Sequence, residues 1–367
     1  MLIDNYNRKI DYLRLSITDR CNLRCKYCMP EKGIKLIDRQ ELLTYEEIIN
    51  AVRLLSELGI KKIRLTGGEP LIRDDILDLI KEIKKIEGIT NISLTTNGVF
   101  LNKYLDQLYK FGIERINISL DTLDSKKYRD ITRGGEISTV LNTISNSIKI
   151  GLKSIKINTV ITPYLDKEDI YNLIKLTIDN PIHVRFIEMM PVVNLIETSN
   201  IECSTTSGLI DVKNINIVDD KFSDIKVNNK NGYHNKNQIN EIFSILGSMG
   251  SYYKINEIMG FGPAVYYKLD GGPGSIGFII NDKNYCSYCN RIRLTPQGNI
   301  RLCLFSDREY NIKSRIRNGC SPEDIKKEIL DFVKIKPENR EDGFKCSLKF
   351  SKNSQLKISD YMNKIGG

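Results

Sequence analysis

The stretch YLRLSIT, residues 12–18, decides the fold class because it reads as a strand with two chemically different faces. Successive side chains of a strand point to opposite sides. The two faces are Leu13, Leu15 and Ile17 on one side, and Arg14, Ser16 and Thr18 on the other. We therefore expect one face of this strand to pack against an apolar layer and the other to remain polar.

Five further short runs of this kind follow, and helical stretches separate them. The runs are KIRLTGG (62–68), ISLTTNG (92–98), INISLD (116–121), IKINTV (155–160) and HVRFIEMM (183–190). In the first helical stretch, Thr44 and Glu47 have the spacing of a capping box, and Gly59 is placed to end the helix. Strands that alternate with helices indicate a parallel α/β architecture. Six repeats are fewer than the eight of a closed TIM barrel, so we predict an incomplete (β/α)6 TIM-type barrel.

The polar face of these strands predicts a ligand cavity. Polar residues recur at every second position, as in Arg64 and Thr66 or in Thr95 and Asn97. Because helices should cover the apolar face, the polar face must point to the inside of the curved sheet, where a packed barrel has Val, Ile and Leu. The alternative is a set of antiparallel edge strands with one solvated face, and the intervening helices argue against it.

The loop after the first strand, CNLRCKYCMP at 21–30, carries Cys21, Cys25 and Cys28 in the spacing C-x3-C-x2-C. Structural zinc sites and ordinary iron–sulfur clusters each take four protein ligands. Three thiolates leave one coordination position open, and such a position is where metal chemistry takes place. The glycines of TGGEP, 66–70, end the second strand and suit the close approach of a ligand to the backbone.

A second cysteine trio lies far downstream, in YCSYCNRIRLTPQGNIRLCLF at 285–305. Its members are Cys286, Cys289 and Cys303, in the spacing C-x2-C-x13-C. The alternatives are half of a zinc ribbon, or a four-ligand site that borrows a distant cysteine. The three other cysteines show no motif spacing and are interpreted as small buried or incidental residues: Cys203, Cys320 and Cys346.

Cations within the strand patterns supply a third clue. They are Arg14, Arg64, Lys156 and Arg185, and two more, Arg291 and Arg293, follow the second cysteine pair. Buried cations need anionic partners, and few carboxylates share these faces. Because arginine grips phosphate in a bidentate manner, a polyphosphate ligand would satisfy several of these charges together.

Composition limits the class of protein. The chain has 367 residues, nine cysteines and a net charge of +9, and it has no apolar run of the ~18 residues that a membrane helix needs. The first ten residues are too polar for a secretory signal, so we expect a reducing, cytoplasmic location. A nucleic-acid-binding protein would show a basic patch interleaved with aromatic residues, and this sequence shows none. Both histidines, His183 and His234, are interpreted as structural or exposed.

These motifs together resemble the radical S-adenosylmethionine (SAM) superfamily, and more closely its GTP 3′,8-cyclase family of molybdenum cofactor biosynthesis. The first cysteine motif specifies only the superfamily. The second motif, with CNRIRLT and the terminal IGG, is specific to the cyclases. The resemblance implies a radical SAM partial barrel over 1–193, a connecting region over 194–258, and a C-terminal domain over 259–367 with a second iron–sulfur cluster.

The resemblance also implies the chemistry of a lyase with two [4Fe–4S] clusters. Cys21, Cys25 and Cys28 would hold one cluster, and Cys286, Cys289 and Cys303 the other. The open iron of the first would chelate SAM, and that of the second would hold guanine. An adenosyl radical would take the C3′ hydrogen of GTP, and C3′ would bond to C8 to give (8S)-3′,8-cyclo-7,8-dihydroguanosine 5′-triphosphate.

Residue roles follow from the same resemblance. The implied SAM contacts are Tyr27, Gly68, Ser119 and Met190, and the implied GTP contacts are Arg14, Arg64, Thr95, Lys156, Arg291 and Arg293. Gly366 and Gly367 would enter the active site as catalytic residues. The implied partners are an electron donor and a downstream cyclic pyranopterin monophosphate synthase. The sequence leaves open whether the chain forms a homodimer. The alternatives are a radical SAM enzyme that modifies a peptide and an iron–sulfur electron carrier.

Overall fold

The structure, a computed structural model, describes residues 1–189, 236–255, 262–280 and 284–343. A two-stranded antiparallel sheet of β1 (Leu2–Ile3) and β2 (Lys9–Ile10) opens the chain. Six strands follow and pair in parallel, each with the next: β3 (Tyr12–Ser16), β4 (Lys62–Thr66), β5 (Asn91–Thr96), β6 (Arg115–Ser119), β7 (Ser154–Ile161) and β8 (Ile182–Glu188). The six predicted strands are therefore confirmed, and each strand end lies within two residues of its predicted position.

Six helices connect or flank these strands: α1 (Tyr45–Glu57), α2 (Ile76–Lys84), α3 (Leu101–Lys110), α4 (Ser125–Thr132), α5 (Ile137–Lys149) and α6 (Lys167–Asp179). Two short 3-10 turns lie at Arg39–Glu41 and Pro70–Ile72. The capping box of α1 is present, since Glu47 N donates to Thr44 Oγ1 at 3.2 Å and Thr44 N to Glu47 Oε2 at 2.9 Å. Gly59 follows with a φ of 108°, so the predicted helix end is also confirmed.

The C-terminal part adds strands to both edges of this sheet. Its elements are α7 (Lys236–Met249), β9 (Tyr252–Ile255), β10 (Val265–Leu269), β11 (Ser275–Ile279), α8 (Asn284–Ser287), β12 (Arg291–Leu294), β13 (Asn299–Arg301), β14 (Glu309–Asn311), α9 (Ile312–Arg317) and α10 (Pro322–Lys334). β11 lies parallel to β8, and β12 lies parallel to β3. Antiparallel strands then complete each side, so the described sheet has twelve strands.

The sequence suggested a partial barrel over 1–193, a connecting region over 194–258 and a C-terminal domain over 259–367. Part of the predicted connecting region, 236–255, forms α7 and β9, and β9 pairs with β10 of the large sheet. Apolar residues of the barrel and of the C-terminal part share one core, for example Leu15, Phe186 and Phe278. The boundaries at 193 and 258 stay predictions. No helix of the described ranges is long and apolar enough to cross a membrane.

The strand register confirms the two-faced pattern. Arg14 lies beside Arg64 on one side and Arg293 on the other, while Leu13 lies beside Ile63. The apolar residues of the strands are buried in one cluster with apolar residues of the helices that cover the sheet, such as Ile48 of α1. The polar side chains of eight parallel strands therefore share the other face, which we call the inner face.

Candidate active site

The first cysteine trio lies in the loop after the carboxyl end of β3. Within it, the backbone N–H groups of Cys28 and Met29 both donate to Cys25 O, at 2.9 and 3.0 Å, and this turn brings the thiols together. None of the three forms a disulfide, and all three are half-buried. Burial raises the pKa of the Cys25 thiol well above its usual value, and Asp121 and the two neighbouring thiols raise it further. The structure thus brings the three predicted ligands into one group.

The two glycines after β4 pack directly against this loop. Gly68 N donates to Thr18 O at 2.7 Å, and Glu69 N donates to Arg20 O at 2.8 Å. A Cβ at Gly68 would lie 2.1 Å from Arg20 O, and one at Gly67 would lie 2.6 Å from Thr18 O. The close approach that these glycines allow is therefore made by the chain's own cysteine loop. Contact of Gly68 with SAM stays a prediction.

A buried carboxyl group, not singled out from the sequence, lies next to these glycines. Glu69 has no exposed surface and accepts hydrogen bonds from Leu71 N at 3.0 Å, Thr96 Oγ1 at 2.8 Å and Asn97 N at 2.6 Å. Burial raises its pKa to about 7. The same burial raises the pKa of Cys21 to about 11, and the Glu69 charge adds to that rise. The signal that could have found Glu69 is its place at a strand's carboxyl end.

A second buried carboxyl group faces the trio from the segment just after β6. Asp121 accepts from Tyr27 Oη at 2.8 Å and from Val160 N at 2.9 Å. Burial raises its pKa to about 6. Ser119, another predicted SAM contact, ends β6 two residues earlier, whereas Met190 lies outside the described residues. The first trio therefore has acidic surroundings, which suit a cationic ligand.

The second trio is assembled from two separate segments. Cys286 belongs to α8, and Cys289 N donates to Cys286 O at 3.1 Å. Cys303 follows β13 by two residues. Burial raises the pKa of Cys286, and the charges of Cys303 and Cys289 raise it further, so the structure brings these three predicted ligands together as well. Cys320, the remaining described cysteine, packs against the apolar core, while Cys203 and Cys346 lie outside the described residues.

Cations surround the second trio. Burial alone would raise the pKa of Cys289, but the charges of Lys336 and then Arg291 lower it to about 6. Arg8 acts in the same direction on both Cys286 and Cys289. Lys336 and Arg8 carry no motif that sequence reasoning could use, because they lie far from the trio along the chain. These surroundings suit an anionic group.

The two trios lie at opposite ends of the inner face. Cys289 precedes Arg291, the first residue of β12, and Arg291 lies beside Tyr12, the first residue of β3. The first trio instead follows the last residue of β3. At ~3.3 Å per residue, the five residues of β3 span about 16 Å. A ligand that reaches both trios must therefore run along the inner face.

Arginines line the part of the inner face nearest β3. Burial lowers the pKa of Arg14 well below its usual value, and the charge of Arg293 lowers it further. Arg64 Nε donates to Tyr12 Oη at 2.5 Å, and Arg64 NH1 lies 3.5 Å from Thr95 Oγ1. The predicted GTP contacts of β3, β4, β5 and β12 thus share one surface.

Lys156 and Arg185 extend this surface across β7 and β8. Burial lowers the pKa of Lys156 to about 7, and the charges of Arg185 and Arg64 lower it further. Arg185, left without a role from the sequence, donates to Asn158 Oδ1 from Nε at 2.9 Å and lies on the same face. Lys156 Nζ lies 5.6 Å from the ring centre of Tyr266, a residue of β10 that sequence reasoning missed.

A glycine makes room for this tyrosine. A Cβ at Gly277 of β11 would lie 2.7 Å from Tyr266 Cε1, so the ring crosses β11 where no side chain stands.

His183 Nδ1 and Ser275 Oγ form a hydrogen bond of 2.8 Å. Burial, followed by the charge of Lys156, lowers the pKa of His183 to about 4. A pKa this low leaves the His183 ring neutral near pH 7. Its structural role stays a prediction, and His234 lies outside the described residues.

The donor sets fit the groups that the sequence implied. No three His, Cys, Asp or Glu side chains in the described ranges are arranged to hold a single metal ion. Two separate trios of cysteine thiols instead provide the ligands that iron–sulfur clusters take. Between them, the inner face carries several buried cations, which need a polyanion. The arrangement can hold a cationic ligand at one end and a multiply charged anion along its length.

Comparison with known proteins agrees with this chemistry. Residues 15–177 match the radical SAM superfamily, and residues 222–342 match the Molybdenum Cofactor Synthesis C family. The GTP 3′,8-cyclase of Petrotoga mobilis is 40% identical over 367 residues and covers 100% of both chains. That of Clostridium perfringens is 38% identical, with 99% of both chains covered.

A solved structure shows the fold. Streptococcus suis SuiB bound to its precursor peptide SuiA has a TM-score of 0.55 at 16% identity, and covers 90% of this chain and 66% of SuiB. At that identity the likeness shows the fold alone, so the function follows from the sequence relatives. A radical SAM partial barrel with a C-terminal molybdenum cofactor synthesis domain, together with full-length identity near 40%, means that this chain belongs to the GTP 3′,8-cyclase family of the radical SAM superfamily.

Proposed function

We propose that the chain is a lyase that converts GTP to (8S)-3′,8-cyclo-7,8-dihydroguanosine 5′-triphosphate, the first step of molybdenum cofactor biosynthesis. The observation that carries the proposal is the line of buried cations on the inner face between two cysteine trios. An electron carrier needs no such polyanion site. A peptide-modifying enzyme, the other alternative, has no support here beyond a shared fold.

The residues divide into two sets along the inner face. We propose that Tyr27, Gly68, Ser119 and Met190 bind SAM near the first trio, with Met190 outside the described residues. The acidic surroundings of that trio favour the sulfonium and ammonium charges of SAM. We propose that the GTP contacts are Arg14, Arg64, Thr95, Lys156, Arg291 and Arg293. Their charges would hold the triphosphate in place through charge-assisted hydrogen bonds.

The trios would hold the iron–sulfur clusters, Cys21, Cys25 and Cys28 the first, and Cys286, Cys289 and Cys303 the second. When bound, the first cluster would supply the electron for SAM cleavage, and the second would supply an iron position for guanine. The chain's own part is to hold the ribose C3′ near SAM, to exclude water from the inner face and to neutralise the triphosphate.

Gly366 and Gly367 lie outside the described residues, and we propose that they enter the active site as catalytic residues. Glycine backbone can reach where no side chain fits. Deleting both should reduce product formation severely while cluster content and melting temperature stay near those of the parent chain. A synthetic peptide that copies the tail should restore part of the activity. Full activity of the truncated chain would refute this role.

The proposal is tested by anaerobic incubation with SAM, dithionite and GTP that carries deuterium at C3′. Cyclisation gives an isomer of GTP, so the product has to be separated by chromatography before mass spectrometry. We expect one deuterium in 5′-deoxyadenosine and one new nucleotide. Cleavage of SAM without transfer of deuterium would overturn the assignment. The electron donor, the downstream cyclic pyranopterin monophosphate synthase and a cytoplasmic location are part of the same proposal.

A further inference from the structure

A buried lysine connects the two segments that carry the second trio. Lys336 follows α10 and is 2% exposed. Its ammonium group donates to Arg291 O at 2.8 Å and also to Leu302 O. Arg291 stands two residues after Cys289, and Leu302 stands directly before Cys303. One side chain thus holds together two segments that are separate in sequence.

A buried arginine attaches the remaining ligand to the same place. Arg8, which is 6% exposed, donates from NH1 to Cys286 O at 2.7 Å and to Glu338 O at 2.8 Å. Its NH2 donates to Pro337 O at 2.6 Å. Because Pro337 and Glu338 directly follow Lys336, the two cations and the two segments that carry the three cysteines form one connected unit.

The two cations differ in how their charge is balanced. Arg8 Nε forms a 2.6 Å ion pair with Asp4 Oδ2, and this aspartate is buried too. The two hydrogen bonds that Lys336 donates go to carbonyl oxygens, which carry no net charge. A buried ammonium group is costly unless an anion is near. The thiols beside it provide that anion once they are deprotonated to bind metal.

We infer that Lys336 and Arg8 are positioning residues of the second trio. Both residues hold together the separate segments that carry the cysteine ligands. The charge of Lys336 also stabilises the electron-rich group that the trio binds. Cluster reduction potentials respond to nearby charge, so Lys336 raises the potential of the second cluster. This inference rests on the proposed function, because it assumes that the second trio holds a cluster.

Three variants of the full chain separate assembly from charge. Lys336→Met removes both the donor and the charge, and Lys336→Gln keeps a donor without the charge. Lys334→Met is the matched control, since Lys334 is exposed at the end of α10 and pairs only with Asp331 among its described ion pairs. Each protein is reconstituted anaerobically, its iron and sulfide are counted, and its midpoint potentials are measured by EPR during redox titration. Binding of SAM reports whether each variant is folded.

We expect about eight irons in the parent chain and in Lys334→Met, and a fall toward four in Lys336→Met. We expect Lys336→Gln to have a more negative midpoint potential for one cluster only. Eight irons in Lys336→Met would overturn the assembly role, and an unchanged potential in Lys336→Gln would overturn the charge role. Four irons in the parent chain would instead refute the second cluster itself, which belongs to the proposed function.

Discussion

The two cysteine trios use the same ligands in opposite electrostatic surroundings. The first lies in one loop of eight residues and faces the buried carboxyl groups of Glu69 and Asp121. The second joins distant segments and is surrounded by Arg8, Arg291 and Lys336. Burial raises the pKa of Cys21 to about 11 and the Glu69 charge adds to that rise, whereas the charges of Lys336 and Arg291 lower the pKa of Cys289 to about 6.

The difference indicates a division of labour. A trio beside acids favours a cationic partner, and a trio beside bases favours an anionic one, because charge complementarity decides which ligand each end accepts. SAM carries a sulfonium, whereas GTP carries a triphosphate. The row of buried cations continues along the inner face from the second trio to Arg14 of β3. Under the proposed function each ligand has its own end of the inner face, and mutations at the two ends should have separable effects.

The largest expected effects come from removing one ligand of each trio. Cys28→Ala should abolish reductive cleavage of SAM, and therefore all later chemistry. Cys289→Ala should leave some SAM cleavage but give no cyclised nucleotide. Mass spectrometry measures the amounts of 5′-deoxyadenosine and of cyclised nucleotide. Cys320→Ala is the control, because Cys320 packs against the apolar core. If both variants kept SAM cleavage and lost only the formation of cyclised nucleotide, the roles assigned to the two trios would be wrong.

Next in size are the arginines of the inner face. Arg291→Ala or Arg64→Ala should weaken GTP binding by about 1.5–3 kcal/mol, or about 10- to 150-fold, because a charge-assisted contact is lost. SAM binding should stay the same. Calorimetric Kd values for both ligands test this, with the exposed Arg317→Ala as the control. Equal losses for both ligands would indicate a damaged fold rather than a basic end.

A pH effect of up to about tenfold per pH unit should come from Lys156. Its pKa of about 7 leaves the amine largely neutral at pH 8 in the free chain. The triphosphate raises this pKa, so GTP binding should take up close to one proton at pH 8 and almost none from this group at pH 6. GTP affinity should accordingly fall as pH rises above 7. Calorimetry in buffers of different ionisation enthalpy counts the proton.

The matched variant for that measurement is Lys156→Met, which has no proton to take up. The difference in proton uptake between the two proteins at pH 8 isolates Lys156 from the ionisation of GTP itself. Equal uptake by both would show that the proton comes from elsewhere on the inner face.

The smallest expected effect concerns one hydrogen bond at the acidic end. Tyr27→Phe removes the 2.8 Å bond to Asp121. It should weaken SAM binding by about 0.5–1.5 kcal/mol, or about 2- to 12-fold, and leave GTP binding unchanged. Tyr288→Phe is the control, because Tyr288 lies in the second cysteine loop and is 86% exposed. A loss of GTP binding in Tyr27→Phe would contradict the separation of the two ends.

Local patterns account for what could be predicted. The first trio, the capping box of α1 and the polar inner face were all recognisable, because each depends on residues within one loop, one helical turn or one strand. The predicted GTP contacts also lie on the polar side of their strands, as Arg14 of β3 and Arg64 of β4 do, side by side in the sheet. Strand alternation has a period of two, so a single strand already reveals its two faces.

What the sequence by itself determined is therefore the six-strand frame, the ligand types and the sign of the charge on the inner face. Only the tertiary structure decided that β11 and β12 extend that frame at both edges, that Tyr266 crosses Gly277 to reach Lys156, and that Lys336 and Arg8 hold the second trio together. The physical reason is distance along the chain. Arg8 and Cys286 are 278 residues apart, and a contact of that separation leaves no periodic pattern in sequence. Such contacts exist only once folding has brought Arg8 and Cys286 to the same edge of the barrel.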